Sequence, residues 1–384
     1  MVNEKRLAET FMELVRVDSP SGREAVVAAD CEKRLAALGC GVVFDGAGPA
    51  CGSDSGNLVA TFPGDPALPA LLISAHMDTV QPGEGIEPVL ENGVFSSRGD
   101  TILGADDKSA IAVILEVLAL LREQGSYSGP SLEIVLTICE ESGLLGAKHM
   151  GPGLITAPHG YCLDARDPDG LVTRAPAANK LRFTVLGRDA HAGAEPELGI
   201  NAISLAARAI ARLDLGRVDH ETTCNLGIIQ GGVATNIVPG RVEVQGEARS
   251  HDPAKLAEVT NRMVAAFTEE VEKERKRLGR PDGLPGLEAV VEPDFPRLGV
   301  PDSHPLVQAA AKAAKNLGRS LTLKTSGGGS DANIFFNRGI AAGVLGTGME
   351  DMHTPRETVA LASMTAAADL LLEIIRVHGA DGGA

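Results

Sequence analysis

Aromatic side chains and basic charge are both scarce in this chain. Tryptophan is absent and aromatic residues make up 3% of the sequence, so stacking platforms for nucleic-acid bases are not expected. Acidic residues outnumber basic ones by 51 to 35, and the formal net charge of −16 disfavours nucleic acid or an anionic membrane as the main partner. No apolar run reaches the roughly 18 residues that a membrane-spanning helix needs. These deficits predict a soluble globular protein.

Paired cysteines and a secretion signal are also missing. The six cysteines are scattered and show no CxxC spacing, so we expect reduced thiols rather than disulfides or a thiolate metal site. The N-terminal segment has the pattern of an amphipathic helix and lacks the apolar core and cleavage site of a signal peptide. Both features predict a cytoplasmic location.

Strand-like and helix-like segments alternate through the first half of the chain. Apolar runs of strand length at 67–75 and 131–139 flank a long apolar helix at 109–125, and a short strand follows at 160–165. This alternation predicts an α/β fold with a mixed, mostly parallel sheet that is flanked by helices. At 384 residues the chain exceeds one ordinary core, so two domains are expected.

A different pattern follows the first half. Alternating strands and two helices predict a ferredoxin-like β-α-β-β-α-β module, in which Asp252 caps a helix that ends at Gly279. Helices that would flank the first sheet return near the C-terminus. We therefore predict one domain made of residues 1–177 and 295–384, with an inserted α+β domain of residues 178–294.

Two adjacent acids, Glu140 and Glu141, follow a strand that is predicted to be buried. Ionised carboxylates repel each other and resist desolvation, so this pair either faces water or binds cations. In an open α/β sheet the carboxyl ends of the strands converge on one crevice, and many carboxylates without matching bases favour bound cations there. Further acids and histidines fall just past apolar strands or at the start of a helix: His76, Asp78, Asp106, Asp107, Asp164 and His353.

Each of these motifs has an ordinary explanation when it is taken alone. A histidine near a strand end is more often structural, and acids such as Asp106 and Asp107 commonly cap a helix. His76 and Asp78 are more informative, because residues two apart in an extended chain point to the same side. Asp78 can therefore accept a hydrogen bond from one ring nitrogen of His76, which is how carboxylates orient metal-binding histidines.

Five motifs, HMDTV, GADDK, CEESG, LDA and MHTP, occur in order across the chain. Together they resemble the M20 family of dinuclear, co-catalytic zinc peptidases, in particular its peptidase T-like, tripeptidase-type branch. The resemblance covers essentially the whole chain. It implies that His76 and Asp164 bind one metal ion, that Glu141 and His353 bind a second, and that Asp106 bridges both.

The resemblance also implies the catalytic residues and the cofactors. Glu140 would act as the general base on a metal-activated water, and Asp78 would assist catalysis from behind His76. Two Zn²⁺ ions per chain are expected, with Mn²⁺ or Co²⁺ as substitutes, because the ligands are histidine and carboxylate. Ser142 and Ala110 depart from the family pattern, but neither is an expected ligand.

The inserted domain resembles the family's lid, through which a homodimer is expected. His191 matches the lid histidine that stabilises the oxyanion of the reaction. Asn236 and Arg249 match positions that hold the carboxylate of the substrate, and the fork of a guanidinium suits that role.

A glycine-rich stretch, TSGGGSDAN, begins at residue 325. A phosphate-binding loop is one interpretation of it, but no GK[ST] sequence follows. The family resemblance favours a loop that cradles a peptide backbone, with Gly328, Gly329 and Asp331 near the substrate.

Three functions can be compared on this basis. The leading hypothesis is a cytoplasmic dizinc aminopeptidase that hydrolyses short peptides, tripeptides in particular, and releases the N-terminal residue. The alternative is an amidohydrolase or carboxypeptidase that acts on N-acyl amino acids. A peptide-binding protein without catalysis is disfavoured, because Glu140 and every expected metal ligand are present.

Overall fold

Two units make up the fold in the computed structural model, which describes residues 1–125, 127–279 and 282–381. Unit 1 comprises Met1–Ala175 together with the chain from Leu298 onward, and unit 2 comprises Pro176–Arg297. The boundaries between the units thus fall after Ala175 and after Arg297, whereas the sequence prediction places them after residues 177 and 294.

The first segment of unit 1 alternates strands and helices, as its hydrophobic pattern predicts. Its two main apolar runs form strands that are buried along their whole length, as parallel strands with both faces covered are. The elements of this segment are, in chain order, α1 (Glu4–Val15), α2 (Ala25–Ala37), β1 (Gly41–Phe44), α3 (Gly48–Cys51), β2 (Leu58–Phe62), β3 (Leu71–His76), β4 (Pro88–Glu91), β5 (Val94–Ser97), α4 (Ala105–Glu123), β6 (Leu132–Thr137), α5 (Leu145–His149), β7 (His159–Ala165) and β8 (Gly170–Ala175).

Unit 2 has longer strands with one buried face. In β9 and β14 buried residues alternate with more exposed ones, which is the pattern of a sheet that is covered on one side. The elements of unit 2 are β9 (Ala177–Leu186), β10 (Ala190–His191), α6 (Ala202–Ile210), β11 (Gly216–Arg217), β12 (Thr222–Gly231), β13 (Ile237–Val238), β14 (Arg241–Ser250), α7 (Pro253–Leu278) and β15 (Gly286–Phe295).

An antiparallel sheet with the strand order β11-β12-β14-β9-β15 forms the framework of unit 2. With α6 and α7 packed on it, the long strands follow the predicted β-α-β-β-α-β order. The stacked rings of Phe183 and Phe267 lie in the core, with centroids 4.1 Å apart. Asp252 accepts hydrogen bonds from two N–H groups of the first turn of α7, and the helix ends at Gly279 in the left-handed conformation that glycine adopts without strain.

The chain then returns to unit 1 with short strands and helices. Neither these helices nor the others that the structure describes are both long and apolar enough to cross a membrane. The returning elements are β16 (Leu298–Gly299), α8 (Pro305–Asn316), β17 (Thr322–Thr325), α9 (Asp331–Asn337), β18 (Ala341–Gly346), β19 (Met349–Glu350), β20 (Thr358–Ala360) and α10 (Leu361–Asp381).

The sheet of unit 1 is mixed, with the strand order β1-β2-β6-β3-β7-β18-β8-β16. Its four central strands, β6, β3, β7 and β18, are parallel to one another, and antiparallel pairings flank them. The helices α1, α4, α8 and α10 pack together beside this sheet. The predicted α/β class is therefore confirmed. Because the central strands are parallel, their carboxyl ends lie along one edge of the sheet.

Candidate metal centre

The carboxyl ends of three parallel strands meet at one edge of the unit 1 sheet. β3 ends at His76, which pairs with Thr137 at the end of β6, and β7 carries Asp164 near its end. Glu140 and Glu141 follow β6 after two further residues. The parallel strands thus bring together residues that are far apart in the sequence, as expected for the crevice at the end of an α/β sheet.

His76 is almost fully buried and contacts carboxylates through its ring. Its Nδ1 lies 3.0 Å from the carbonyl oxygen of Asp78 and 3.5 Å from Oδ1 of the same residue, and its Nε2 lies 3.0 Å from Oδ1 of Asp106. Burial alone lowers the pKa of His76, but the hydrogen bonds to Asp106 and Asp78 outweigh it and raise the pKa well above the usual value. With Nδ1 donating to the carbonyl, Nε2 faces the Asp106 carboxylate, where it donates when the ring is protonated and is available to a metal ion when the ring is neutral.

Asp106 lies between two histidines at the start of α4. Its Oδ1 faces His76, and its Oδ2 lies 3.1 Å from Nε2 of His353. Burial raises the pKa of Asp106, yet the hydrogen bonds from His353 and His76 dominate and hold it below the usual value. Asp106 and Asp107 have non-helical φ and ψ angles, so this acid pair does not simply continue the helix as ordinary first-turn residues. Each oxygen of Asp106 therefore has its own imidazole partner.

His353 reaches the same cluster from the loop between β19 and β20. Its Nε2 lies 3.0 Å from Oε1 of Glu141, in addition to the contact with Asp106. Hydrogen bonds to Asp106 and Glu141 raise the pKa of His353 to about 10. The backbone of His353 has φ +63°, a left-handed conformation that is uncommon for residues other than glycine. The loop thus holds a strained residue whose ring faces two carboxylates.

Asp78 fixes the turn that carries the two glutamates. Its Oδ1 accepts the backbone N–H of Glu140 at 2.9 Å, and its Oδ2 accepts the N–H of Glu141 at 3.2 Å. The hydroxyl of Ser21 donates to the same Oδ2 at 2.6 Å. Because Asp78 also contacts the ring of His76, one buried side chain orients residues from two strand ends.

Several other carboxyls of the cluster are held in an environment that opposes their ionisation. Burial raises the pKa of Glu140 well above its usual value, and the nearby charge of Asp164 adds to this effect. Burial likewise raises the pKa of Asp164 and of Asp107. The buried ammonium of Lys108 does not compensate them directly, because it donates to the carbonyl of Val17 at 2.6 Å. The cluster therefore combines crowded acids with two imidazoles.

A buried oxygen with no partner supports a metal-binding role. Oδ2 of Asp107 accepts the backbone N–H of His76 at 3.1 Å, but its Oδ1 is buried without a hydrogen bond to any described residue. Ligand atoms of Asp106, Asp107 and Asp164 lie within 4.8 Å of one another, and so do those of His76, Asp106 and Glu141. Imidazole and carboxylate ligands without thiolate suit Zn²⁺ and Mn²⁺. The residues present fit a centre for divalent metal ions.

The sequence interpretation places Asp107 among the candidate acids, but the family resemblance gives it no metal-binding role. Its pairing with Asp106 in the GADDK motif was the available signal, since both acids precede the same helix. The structure distinguishes them, because Asp106 faces the two histidines whereas Asp107 supports the backbone of His76 and keeps one oxygen unpaired.

A cavity of about 410 Å³ opens beside the acid cluster and is large enough for a small peptide. Gly328 and Gly329 line it, as expected for a loop near the substrate. Asp331 does not line it. Its Oδ2 accepts the hydroxyl of Thr137 at 2.5 Å, its other oxygen is buried without a partner among the described residues, and burial raises its pKa to about 6. The remaining lining residues include Asp106, Glu140, Glu141, Asp164, Arg166, Ser330, Met352 and His353.

The expected substrate-binding residues of unit 2 fall into two places. The pairing of β10 with β13 brings His191 beside Asn236, whose carbonyl accepts the N–H of Ala192. Nδ1 of His191 accepts the N–H groups of two residues that follow it, at 3.0 and 3.2 Å, so a neutral ring carries its proton on Nε2. Arg249 lies on β14, where its guanidinium contacts Glu247 at 2.9 Å and the ring of Phe295 at 5.7 Å.

Comparisons with known proteins agree with the geometry of the site. Residues 72–377 match the model of peptidase family M20/M25/M40. The chain is 40% identical to the uncharacterized protein YqjE of Bacillus subtilis, over 98% of this chain and 99% of that protein. It is 38% identical to the crystal structure of a tripeptidase from Staphylococcus aureus, with a TM-score of 0.91 and coverage of 99% of this chain and 100% of that one. It is 37% identical to the crystal structure of aminopeptidase PepT from Bacillus cereus, with a TM-score of 0.87 and coverage of 98% of this chain and 99% of that one.

Proposed function

This chain belongs to peptidase family M20/M25/M40, and we propose that it is a metal-dependent aminopeptidase that releases the N-terminal residue of short peptides, tripeptides in particular. The observation that carries the proposal is the position of Asp106, each of whose oxygens faces a different histidine at the edge of a cavity of peptide size. The similarity to a tripeptidase and to an aminopeptidase supports the choice of substrate.

Two divalent metal ions would be held by these side chains. His76 and Asp164 would bind one ion, Glu141 and His353 the other, and Asp106 both, with Zn²⁺ as the first choice and Mn²⁺ or Co²⁺ as substitutes. When bound, such ions act as Lewis acids that activate a water molecule and polarise the scissile carbonyl.

Glu140 is the proton carrier in this proposal. Its carboxylate takes the proton from the attacking water and delivers it to the amine that leaves. Burial opposes the ionisation of Glu140 and so raises its pKa, which favours retention of the proton between the two transfers. Asp78 keeps Glu140 in place by accepting its backbone N–H, and it orients His76 at the same time.

We propose substrate-binding residues in each unit, which are described separately. The backbone at Gly328 and Gly329 lines the cavity and is open to a peptide, because neither residue has a side chain that would cover it. In unit 2, Nε2 of His191 is the donor for the oxyanion, and Arg249 and Asn236 bind the C-terminal carboxylate. Asp331, which is buried beneath the loop, acts only indirectly by holding Thr137.

Unit 2 is also the proposed contact surface of a homodimer. Within the described chain, β11 pairs only with the start of β12, so the rest of β12 is an open edge. Ile228 and Ile229 on this edge are 48% and 55% exposed. An open strand with exposed apolar residues is a common site of association.

All six cysteines are free thiols, which supports the proposed cytoplasmic location.

The proposal is tested by metal analysis together with a paired assay. Protein purified without chelator should contain about two divalent ions per chain, and it should cleave a tripeptide but not the N-acetyl form of the same tripeptide. Preference for the acetylated peptide would instead assign the protein to the amidohydrolases. Absence of hydrolysis after zinc or manganese is added would refute the peptidase proposal.

A further inference from the structure

Glu357 is a fully buried carboxylate that binds the backbone of a distant loop. Its Oε2 accepts the N–H groups of Leu103 and Gly104, both at 2.8 Å, and its Oε1 accepts the N–H of Asp106 at 2.9 Å. Glu357 itself is 1% exposed and follows His353 by four residues. One side chain therefore connects the loop that presents His353 with the loop that presents Asp106.

The loop before α4 needs such acceptors. Gly104 has a left-handed backbone, and Asp106 and the residue after it are not helical, so their N–H groups face no preceding turn of helix. Buried N–H groups without acceptors are costly, and a carboxylate that accepts several of them is a strong partner. Without Glu357, this loop would have to move in order to satisfy its backbone.

We propose that Glu357 is a positioning residue that sets the distance between Asp106 and His353, whose side chains lie 3.1 Å apart. This inference rests on the proposed function, since it assigns both residues to the metal centre. Glu357 touches neither the cavity nor the imidazole rings, and it acts through the backbone of Asp106. A carboxylate is required because both of its oxygens accept N–H groups. In a glutamine, the amide NH₂ would face a backbone N–H in either orientation.

Glu133 provides a matched control at the other edge of the same sheet. It lies on β6, is also buried, and its two oxygens accept the N–H groups of Thr156 and Ala157 and the hydroxyl of Thr156. Replacing Glu133 by glutamine also places an amide in a buried carboxylate site, although there the hydroxyl of Thr156 can turn to accept from the amide while the other oxygen keeps both backbone N–H groups. This site lies at the amino end of the strands, away from the candidate metal ligands.

The test compares Glu357→Gln with Glu133→Gln in the full chain. For Glu357→Gln we expect zinc affinity and kcat on a tripeptide to fall roughly 10- to 100-fold each, with KM nearly unchanged. For Glu133→Gln we expect a lower Tm, but zinc affinity and kcat within about twofold of the wild type. Wild-type zinc affinity in Glu357→Gln would overturn the inference. An equal loss of affinity in both variants would also overturn it, because the effect would then be one of general stability.

A second measurement covers the case in which Glu357→Gln does not fold. In the metal-free wild type, the amides of Leu103, Gly104 and Asp106 should exchange slowly with solvent, since Glu357 protects them without a metal. If these three amides exchange as fast as those of solvent-exposed loops, the inference is contradicted. Because zinc affinity and amide exchange do not require turnover, the inference can be judged even if the protein fails to cleave peptides.

Discussion

The two edges of the unit 1 sheet bury polar groups in different ways. At the amino end, Glu133 has four hydrogen bonds from the loop before β7, and the hydroxyl of Tyr161 donates to the carbonyl of Leu306 at 2.6 Å. At the carboxyl end, Asp107 and Asp331 each keep a buried oxygen without a partner among the described residues. The same strands therefore end in a satisfied edge, where these buried oxygens have hydrogen-bond partners, and in an unsatisfied edge, where two buried oxygens lack them.

This difference shows where the fold gives up stability for function. Burying a carboxylate is costly unless hydrogen bonds or opposite charges compensate it, and the amino edge meets that condition. Several carboxyl groups lie close together at the carboxyl edge, and burial raises the pKa of some of them, among them Glu140 and Asp164. Bound cations would stabilise such an arrangement, whereas the described residues of the amino edge have hydrogen-bond partners without them.

Metal removal should give the largest effect and should separate the two edges. With a strong chelator, we expect peptide hydrolysis to stop and Tm to fall by several degrees, because bound ions no longer offset the crowded carboxylates. Amide exchange should accelerate around residues 138–144 and 351–356, but not around 155–162. Equal acceleration at both edges would contradict the comparison, and restored activity on adding zinc would show that the loss is reversible.

Glu140→Gln tests whether the adjacent glutamates differ in role at the unsatisfied edge. We expect kcat to fall by about 10²- to 10⁴-fold while the metal content stays at the wild-type level, because Glu140 moves a proton and binds no ion in our proposal. Glu141→Gln is the matched variant, and it should lose metal as well as activity. If Glu140→Gln loses as much metal as Glu141→Gln, the two roles have been assigned wrongly.

The sequence predicted the carboxyl edge well because its strands are long and apolar. The runs at 67–75 and 131–139 correspond to β3 and β6, and the β-α-β-β-α-β order of unit 2 follows its alternating pattern. The helix predicted from residue 109 is assigned from Ala105, but Asp106 and Asp107 are not helical, so its regular part begins at Lys108, one residue before the predicted start.

Contacts between distant, short elements were not predictable in the same way. β5 pairs with β20 across more than half of the chain, and both strands are too short to show a periodic pattern. Glu357 looks like a solvated acid in the sequence, and only the fold brings three backbone donors to it. The backbone hydrogen bonds that orient the candidate site therefore had no local signal.

The amino edge should be the source of a smaller, pH-dependent effect. The ring centroid of His159 lies 6.0 Å from that of His304 and 5.0 Å from that of His378, which also contacts the hydroxyl of Tyr161. Burial lowers the pKa of His159, with a further contribution from His304, and burial lowers the pKa of His304 as well. Protonation is therefore less favourable in the folded state than in the unfolded chain.

The sign of the effect follows from proton linkage. An unfolded histidine has a pKa near 6.5, so below that pH the unfolded state binds more protons and the free energy of unfolding falls as pH decreases. Above about pH 7 the histidine is neutral in both the folded and the unfolded state, and the protonation penalty on the folded state disappears.

His159→Phe keeps an aromatic ring but cannot bind a proton, so with zinc in excess it should reduce the loss of Tm between pH 7.5 and 5.5 by roughly 1–3 °C. Replacing the exposed His220 by asparagine should leave that loss unchanged. If the pH dependence of His159→Phe equals that of the wild type, His159 is not a source of the acid sensitivity, and its ring contributes only its packing.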